Sequence, residues 1–236
     1  MRNPHRALAV LAGSALALAG CAPAGLQSNG KDPVAIGVDA DDPEQLVLGE
    51  IYSRVLQQLG RPTSVTATDF SAGDTLRVLK ETPIDFVVTC TGKLVEETDP
   101  AAAKALGGEA KTGAEGMSDT VYDAAVAALP GSVRTVDPSP AQGCGGAGAL
   151  PQNVIPLFSA SVFDRGEINR LNFITRVMST KAIGEMAEEV ADGADMEDTL
   201  AAWMMEYAHI DVYANELADP DEGAAAGDSA DSAGAR

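Results

Sequence analysis

Asp39, Asp41, Asp42 and Glu44 crowd together directly after the apolar run Val34-Ala35-Ile36-Gly37-Val38. Carboxylates at a strand end could hold a cation, but no calcium-loop spacing is present. Acids just ahead of a helix also occur as an ordinary solvated loop favoured by the helix dipole. Cys90 and Cys144 are a second candidate group. Cys144 sits in Gly143-Cys144-Gly145-Gly146, a glycine run with no lysine and no good helix after it, which does not make a phosphate cradle. His209 is the one histidine beyond the first few residues, and nothing around it has metal-ligand spacing. Ser139 lies between Pro138 and Pro140, away from any nucleophile elbow, with no base to name. These residues point away from an enzyme and call for no cofactor and no metal.

The elements that must position these groups are legible from periodicity. Residues 34–38 form a short apolar strand. Leu46, Val47, Ile51, Val55, Leu56 and Leu59 then recur at spacings of three and four, one face of a helix opened by Asp42-Pro43 and closed by Gly60 and Pro62. Residues 64–70 alternate as a strand, 73–80 read as a short helix, and the nearly continuous β-branched run 84–90 reads as a strand buried on both faces. Two strand–helix–strand units in series imply parallel pairing with right-handed crossovers. Ligands in such sheets sit at the carboxyl ends of strands, here residues 39–43, 70–73 and 90–93.

Further along, glycines at 107, 108 and 113 are expected to interrupt any long helix over 98–116. A helix is expected over 118–129, a strand over 132–136, and a strand over 153–159 in which Pro156 implies an edge or a bulge. Helices over 166–179, from Thr180, and over 197–208 complete an α/β domain spanning 33–215, a three-layer arrangement on a mainly parallel sheet of about five strands.

The ends carry different information. Residues 1–20 read as a lipoprotein signal: Arg2 and Arg6, a short apolar run, then Leu18-Ala19-Gly20-Cys21, in which Cys21 becomes a lipidated N-terminus that ties the chain to the outer side of a membrane. Residues 21–32 are a flexible spacer. Residues 216–236 carry too little apolar surface to fold and are expected to be a disordered acidic tail. The net charge of −19 argues against nucleic acid and against a polybasic membrane patch. With Cys21 used for lipid, Cys90 and Cys144 remain as an even pair in an oxidising compartment. They are either bridged, closing a loop of about 54 residues worth roughly 4 kcal/mol, or two buried or free thiols.

In order and spacing, several motifs resemble the substrate-binding lipoproteins of osmoprotectant ABC importers, which take glycine betaine, choline and carnitine. Asp41-Asp42-Pro43-Glu44 resembles the family's Asp-Phe-Pro-Glu turn, and Leu48-Gly49-Glu50-Ile51-Tyr52 its helix. Pro83-Ile84-Asp85-Phe86 and Cys90-Thr91-Gly92 resemble its third strand and Tyr-Thr-Gly end. Val121-Tyr122-Asp123-Ala124, Val136-Asp137-Pro138-Ser139-Pro140-Ala141 and Pro151-Gln152-Asn153-Val154-Ile155-Pro156-Leu157 follow in family order. The resemblance implies a type II periplasmic-binding-protein-like lobe, a quaternary-ammonium solute and an ABC permease as partner. Strand ends and resemblance together place the ligand at Asp41, Asp42, Phe70, Ser71, Cys90, Thr91, Gly92 and Ser139. Asp42 and Cys90 stand where the family's cage carries aromatic residues, the aromatic content is 4%, and only residues 142–150 stand where the family inserts a second lobe. Weak binding of betaine-like solutes is the expectation. The alternative is a non-transporting envelope lipoprotein that uses the truncated fold as an interaction module.

Overall fold

The computed structural model describes residues 31–70, 75–145 and 148–213. The lipoprotein signal, Cys21, Ser71 and the acidic tail from 216 lie outside the described residues. Chain order is β1 (Val34–Val38), α1 (Pro43–Gln58), β2 (Thr63–Ala67), α2 (Thr75–Glu81), β3 (Phe86–Cys90), α3 (Thr91–Thr98), α4 (Pro100–Lys111), α5 (Met117–Ala127), β4 (Val133–Arg134), β5 (Val154–Ser159), α6 (Arg165–Val177), α7 (Thr180–Ala191) and α8 (Met196–Trp203). A π turn, Met204–Ala208, follows α8 and ends at His209 in the left-handed conformation (φ 54°).

Local chemistry accounts for α1. The Asp42 side chain accepts the backbone N–H groups of Glu44 and Gln45, and Pro43 fits the first turn, where no donor is needed. The buried stripe is Val47, Leu48, Ile51, Tyr52, Val55 and Leu56. Gly60 at φ 73° then turns the chain out of the helix.

The five strands form one sheet in the order β2-β1-β3-β5-β4. β1 pairs parallel with β2 and with β3, as the crossovers require. β3–β5 and β4–β5 are antiparallel, so the sheet is mixed. β4 leaves the sheet after two residues, and residues 135–145 and 148–153 lie across the strand ends before β5 runs back between β3 and β4. That return path replaces the crossover a fourth parallel strand would need. It also explains Pro156. The strand is not at the sheet edge, yet its register places Pro156 beyond the end of β4, where no neighbouring ladder calls for its missing N–H. The Thr135 hydroxyl donates to the Pro156 carbonyl there (2.7 Å).

Two apolar layers cover the sheet. One joins β1, β3 and β5 to α1, α6, α7 and α8 around Tyr52, Phe86, Phe158, Phe163 and Trp203. The other packs α2, α3, α4 and α5 on the opposite face around Val87, Leu94, Val121, Ile155 and Leu157. α4 runs straight through Gly107 and Gly108, against expectation. Asp99 caps it and Pro100 starts it. At Gly107 an added Cβ would come within 3.3 Å of Ala149, so a close chain approach compensates the weak helix propensity.

Candidate functional site at the carboxyl rim

Four stretches converge beyond the carboxyl ends of β1, β2 and β3. Asp39 follows β1, and its Oδ1 accepts the Asp41 N–H (3.0 Å). Asp42 is engaged as the cap of α1. Phe70 follows β2 and is half-buried against the α2–α5 layer. Cys90 ends β3 and passes directly into α3.

The fourth stretch is the excursion of residues 135–145 and 148–153, which locks onto this rim. Cys144 is bonded to Cys90 (Cα–Cα 6.1 Å). The Cys144 N–H donates to Glu44 Oε1 (2.8 Å). An added Cβ at Gly143 would collide with that same carboxylate, which accounts for the glycine. Burial holds the Glu44 carboxyl above its ordinary pKa of 4.5; the Cys144 N–H opposes this and the charge of Asp42 reinforces it.

The N-terminus of α3 is filled by the same excursion. The N–H groups of Thr91, Gly92 and Lys93 donate to the Asn153 carbonyl (2.9 Å), the Pro151 carbonyl (3.1 Å) and Gln152 Oε1 (2.8 Å). The Thr91 hydroxyl donates to the Pro151 carbonyl and accepts the Asn153 N–H. Gly92 admits this approach, since a Cβ there would lie 2.6 Å from Gln152 Nε2 and 2.8 Å from the Pro151 carbonyl. Ser139 is buried; its hydroxyl accepts the Ala141 N–H and its carbonyl accepts from the Asn153 amide.

The eight positions expected at a ligand therefore divide. Asp41 and Phe70 line an open hollow of about 540 Å³ with Asp39, Thr68 and Lys93. Asp42 and Phe70 line a narrower inner hollow of about 80 Å³ with Asp39, Gln45, Thr75, Val88, Lys93 and Cys144. Cys90, Thr91, Gly92 and Ser139 are brought to the same rim but are buried beneath it, bonded to other parts of the chain. Ser71 is outside the described residues. Periodicity hides Gln45 and Gln152. Gln45 looks like one more polar residue of a helix, and Gln152 acts only because the excursion folds back on α3.

Glu44, Cys90 and Cys144 place a carboxylate and two sulfurs within 4.8 Å of one another, the one such cluster among the described residues. Joined as a disulfide, these sulfurs are not thiolate ligands. His209 serves as the left-handed residue that ends the π turn.

No family model matches this chain, and no curated protein matches it. Among solved structures it is similar to apo YehZ from Escherichia coli, with a TM-score of 0.56 at 12% identity over 75% of this chain and 99% of that one. A TRAP periplasmic solute-binding protein from Pseudomonas putida F1 with bound D-glucuronate gives a TM-score of 0.41 at 9% identity over 75% and 94% of the two chains. One from Ralstonia eutropha H16 with bound (S)-2-acetolactate gives 0.38 at 11% over 75% and 85%. The fold is that of a single periplasmic-binding-protein-like lobe. At these identities the likeness is one of architecture.

Proposed function

We propose that the protein is an extracytoplasmic solute-binding protein that holds a small organic cation loosely at its carboxyl rim. The observation that carries this reading is the open hollow at the parallel strand ends, lined by Asp39 and Asp41 with the Phe70 ring beside them. A cation gains from the carboxylates and from the ring face, by about 0.5–1 kcal/mol for an exposed cation–π contact. The disulfide supports an oxidising compartment, and the Leu18-Ala19-Gly20-Cys21 box supports a lipid anchor at Cys21. The sequence resemblance extends the solute class to quaternary-ammonium osmoprotectants and the partner to an ABC permease. With one ring and no facing lobe among the described residues to exclude water, binding is weak.

Calorimetry on the full mature chain with glycine betaine, choline and carnitine tests this. Millimolar binding that weakens in Phe70→Ala is the expected result. Micromolar binding would overturn the reading of an open, wet rim. A second reading, an interaction module without transport, is favoured by the closure of the α3 N-terminus by residues 151–153. It would be preferred if none of the three solutes bound.

A further inference from the structure

The inner hollow is built mainly from oxygen acceptors rather than aromatic faces. Gln45 lines it at 8% exposure, yet its side-chain amide makes no hydrogen bond among the described residues. Asp42 Oδ1 takes the two capping N–H groups, and Asp39 Oδ1 takes the Asp41 N–H. The second oxygen of each carboxylate has no hydrogen-bond or ion-pair partner among the described residues. Phe70 supplies the one ring. Lys93 borders both the inner and the outer hollow, and no salt bridge holds its ammonium among the described residues.

We infer that this hollow selects a small zwitterion whose ammonium bears N–H groups, a free amino acid, over its N-methylated counterparts. The inference rests on the proposal that the rim binds an organic cation, and narrows which one. The Gln45 amide and the two carboxylates keep acceptor oxygens that a ligand N–H can engage in place of water, and hydrogen bonds to charged groups are the stronger ones. A quaternary ammonium donates nothing. It needs several aromatic faces to replace its water, and here it would make no hydrogen bond to Gln45 or to the carboxylate oxygens. Lys93 supplies the charge for the solute carboxylate at the mouth, so a plain amine lacks half of the recognition.

The test is an NMR titration of the full mature chain with glycine, sarcosine, N,N-dimethylglycine and glycine betaine, which keep the carboxylate and lose one N–H at a time. Affinity is expected to fall along the series. Glycine should bind about tenfold or more tighter than the betaine, the size of one charge-assisted hydrogen bond. Gln45→Met should flatten the series, and Lys93→Met should weaken glycine while leaving methylammonium little changed. Because Lys93 is exposed, the latter variant reads the site without disturbing the core. Betaine binding as tightly as glycine, or tighter, would overturn this inference and leave the solute-binding proposal standing. Absence of shifts with every probe, the betaine included, would overturn both.

Discussion

The two ends of the sheet solve the burial of polar groups in opposite ways. At the end away from the rim, Arg61 and Glu167 are both buried, and the guanidinium grips the carboxylate with two hydrogen bonds (2.9 and 2.8 Å). Two further donors reach the carbonyls of Asp32 and Val162. Lys31 adds a third donor to Glu167 (2.9 Å). Glu167 in turn completes a capping box with Asp164 at the start of α6. This is a closed network in which both buried charges are paired. The carboxyl rim is held instead by a disulfide, by neutral hydrogen bonds to main chain and by a half-buried carboxylate, and it keeps Gln45, Lys93 and parts of Asp39 and Asp42 unengaged. One end is closed around its charges, and the other leaves polar side chains facing an open hollow.

Arg61→Ala should break this contrast most strongly. It leaves the buried Glu167 carboxylate with only Lys31 as counter-charge, a change that approaches the cost of about 3–5 kcal/mol for breaking a buried pair. Chemical denaturation should show the loss, with weaker hydrogen-exchange protection at the start of α6. Cys90→Ala combined with Cys144→Ala should cost about 2–4 kcal/mol through release of the closed loop. Amide exchange should rise in residues 139–145 and 148–153 and remain unchanged around Glu167. Equal rises at both ends would show that the two regions are one cooperative unit.

Thr91→Val keeps the shape and removes the hydroxyl that joins Pro151 to Asn153. The expected loss is about 1–2 kcal/mol from a buried N–H left unpaired, read from the urea midpoint at an unchanged slope.

The smallest effect is in pH dependence, where the two ends should differ in sign. Burial alone would raise the Glu167 pKa; the hydrogen bonds from Arg61, Asp164 and Lys31 outweigh it and hold the carboxyl below its ordinary 4.5. Stability from that end is therefore complete above the ordinary carboxylate range and is lost as pH falls through the depressed value. Glu44 is shifted upward, chiefly by burial, so its ionisation weakens the rim as pH rises through its folded pKa. Glu44→Gln should be slightly stabilising at neutral pH, with the gain vanishing in acid. A gain that persisted at low pH would assign the effect to packing instead.

Some of this architecture was legible residue by residue. Asp42-Pro43 announced the start of α1, and the β-branched run ending at Cys90 announced a doubly covered strand. The even pair of cysteines left a bridge as one of two outcomes, and the structure shows the bridge. These features depend on neighbours a few residues away or on a count, so composition and period suffice to find them. The expectation of a ligand beyond β1, β2 and β3 rested on the same strand–helix–strand periodicity, and the structure brings those strand ends together at one rim.

Three features were decided only by tertiary structure. The direction of β5 depends on how residues 135–145 and 148–153 return to the sheet, and they have no periodic signature. The pairing of Arg61 with Glu167 joins groups 106 residues apart, each of which alone reads as an ordinary surface charge. The filling of the α3 N-terminus by Gln152 requires Gly92 to let two backbones approach. That closure buries Thr91, Gly92 and Ser139 beneath the rim and leaves Gln45 and Lys93 at the hollow. Sequence determined which strand ends could form a site. Long-range contact, which no local pattern encodes, decided which polar groups there remain available.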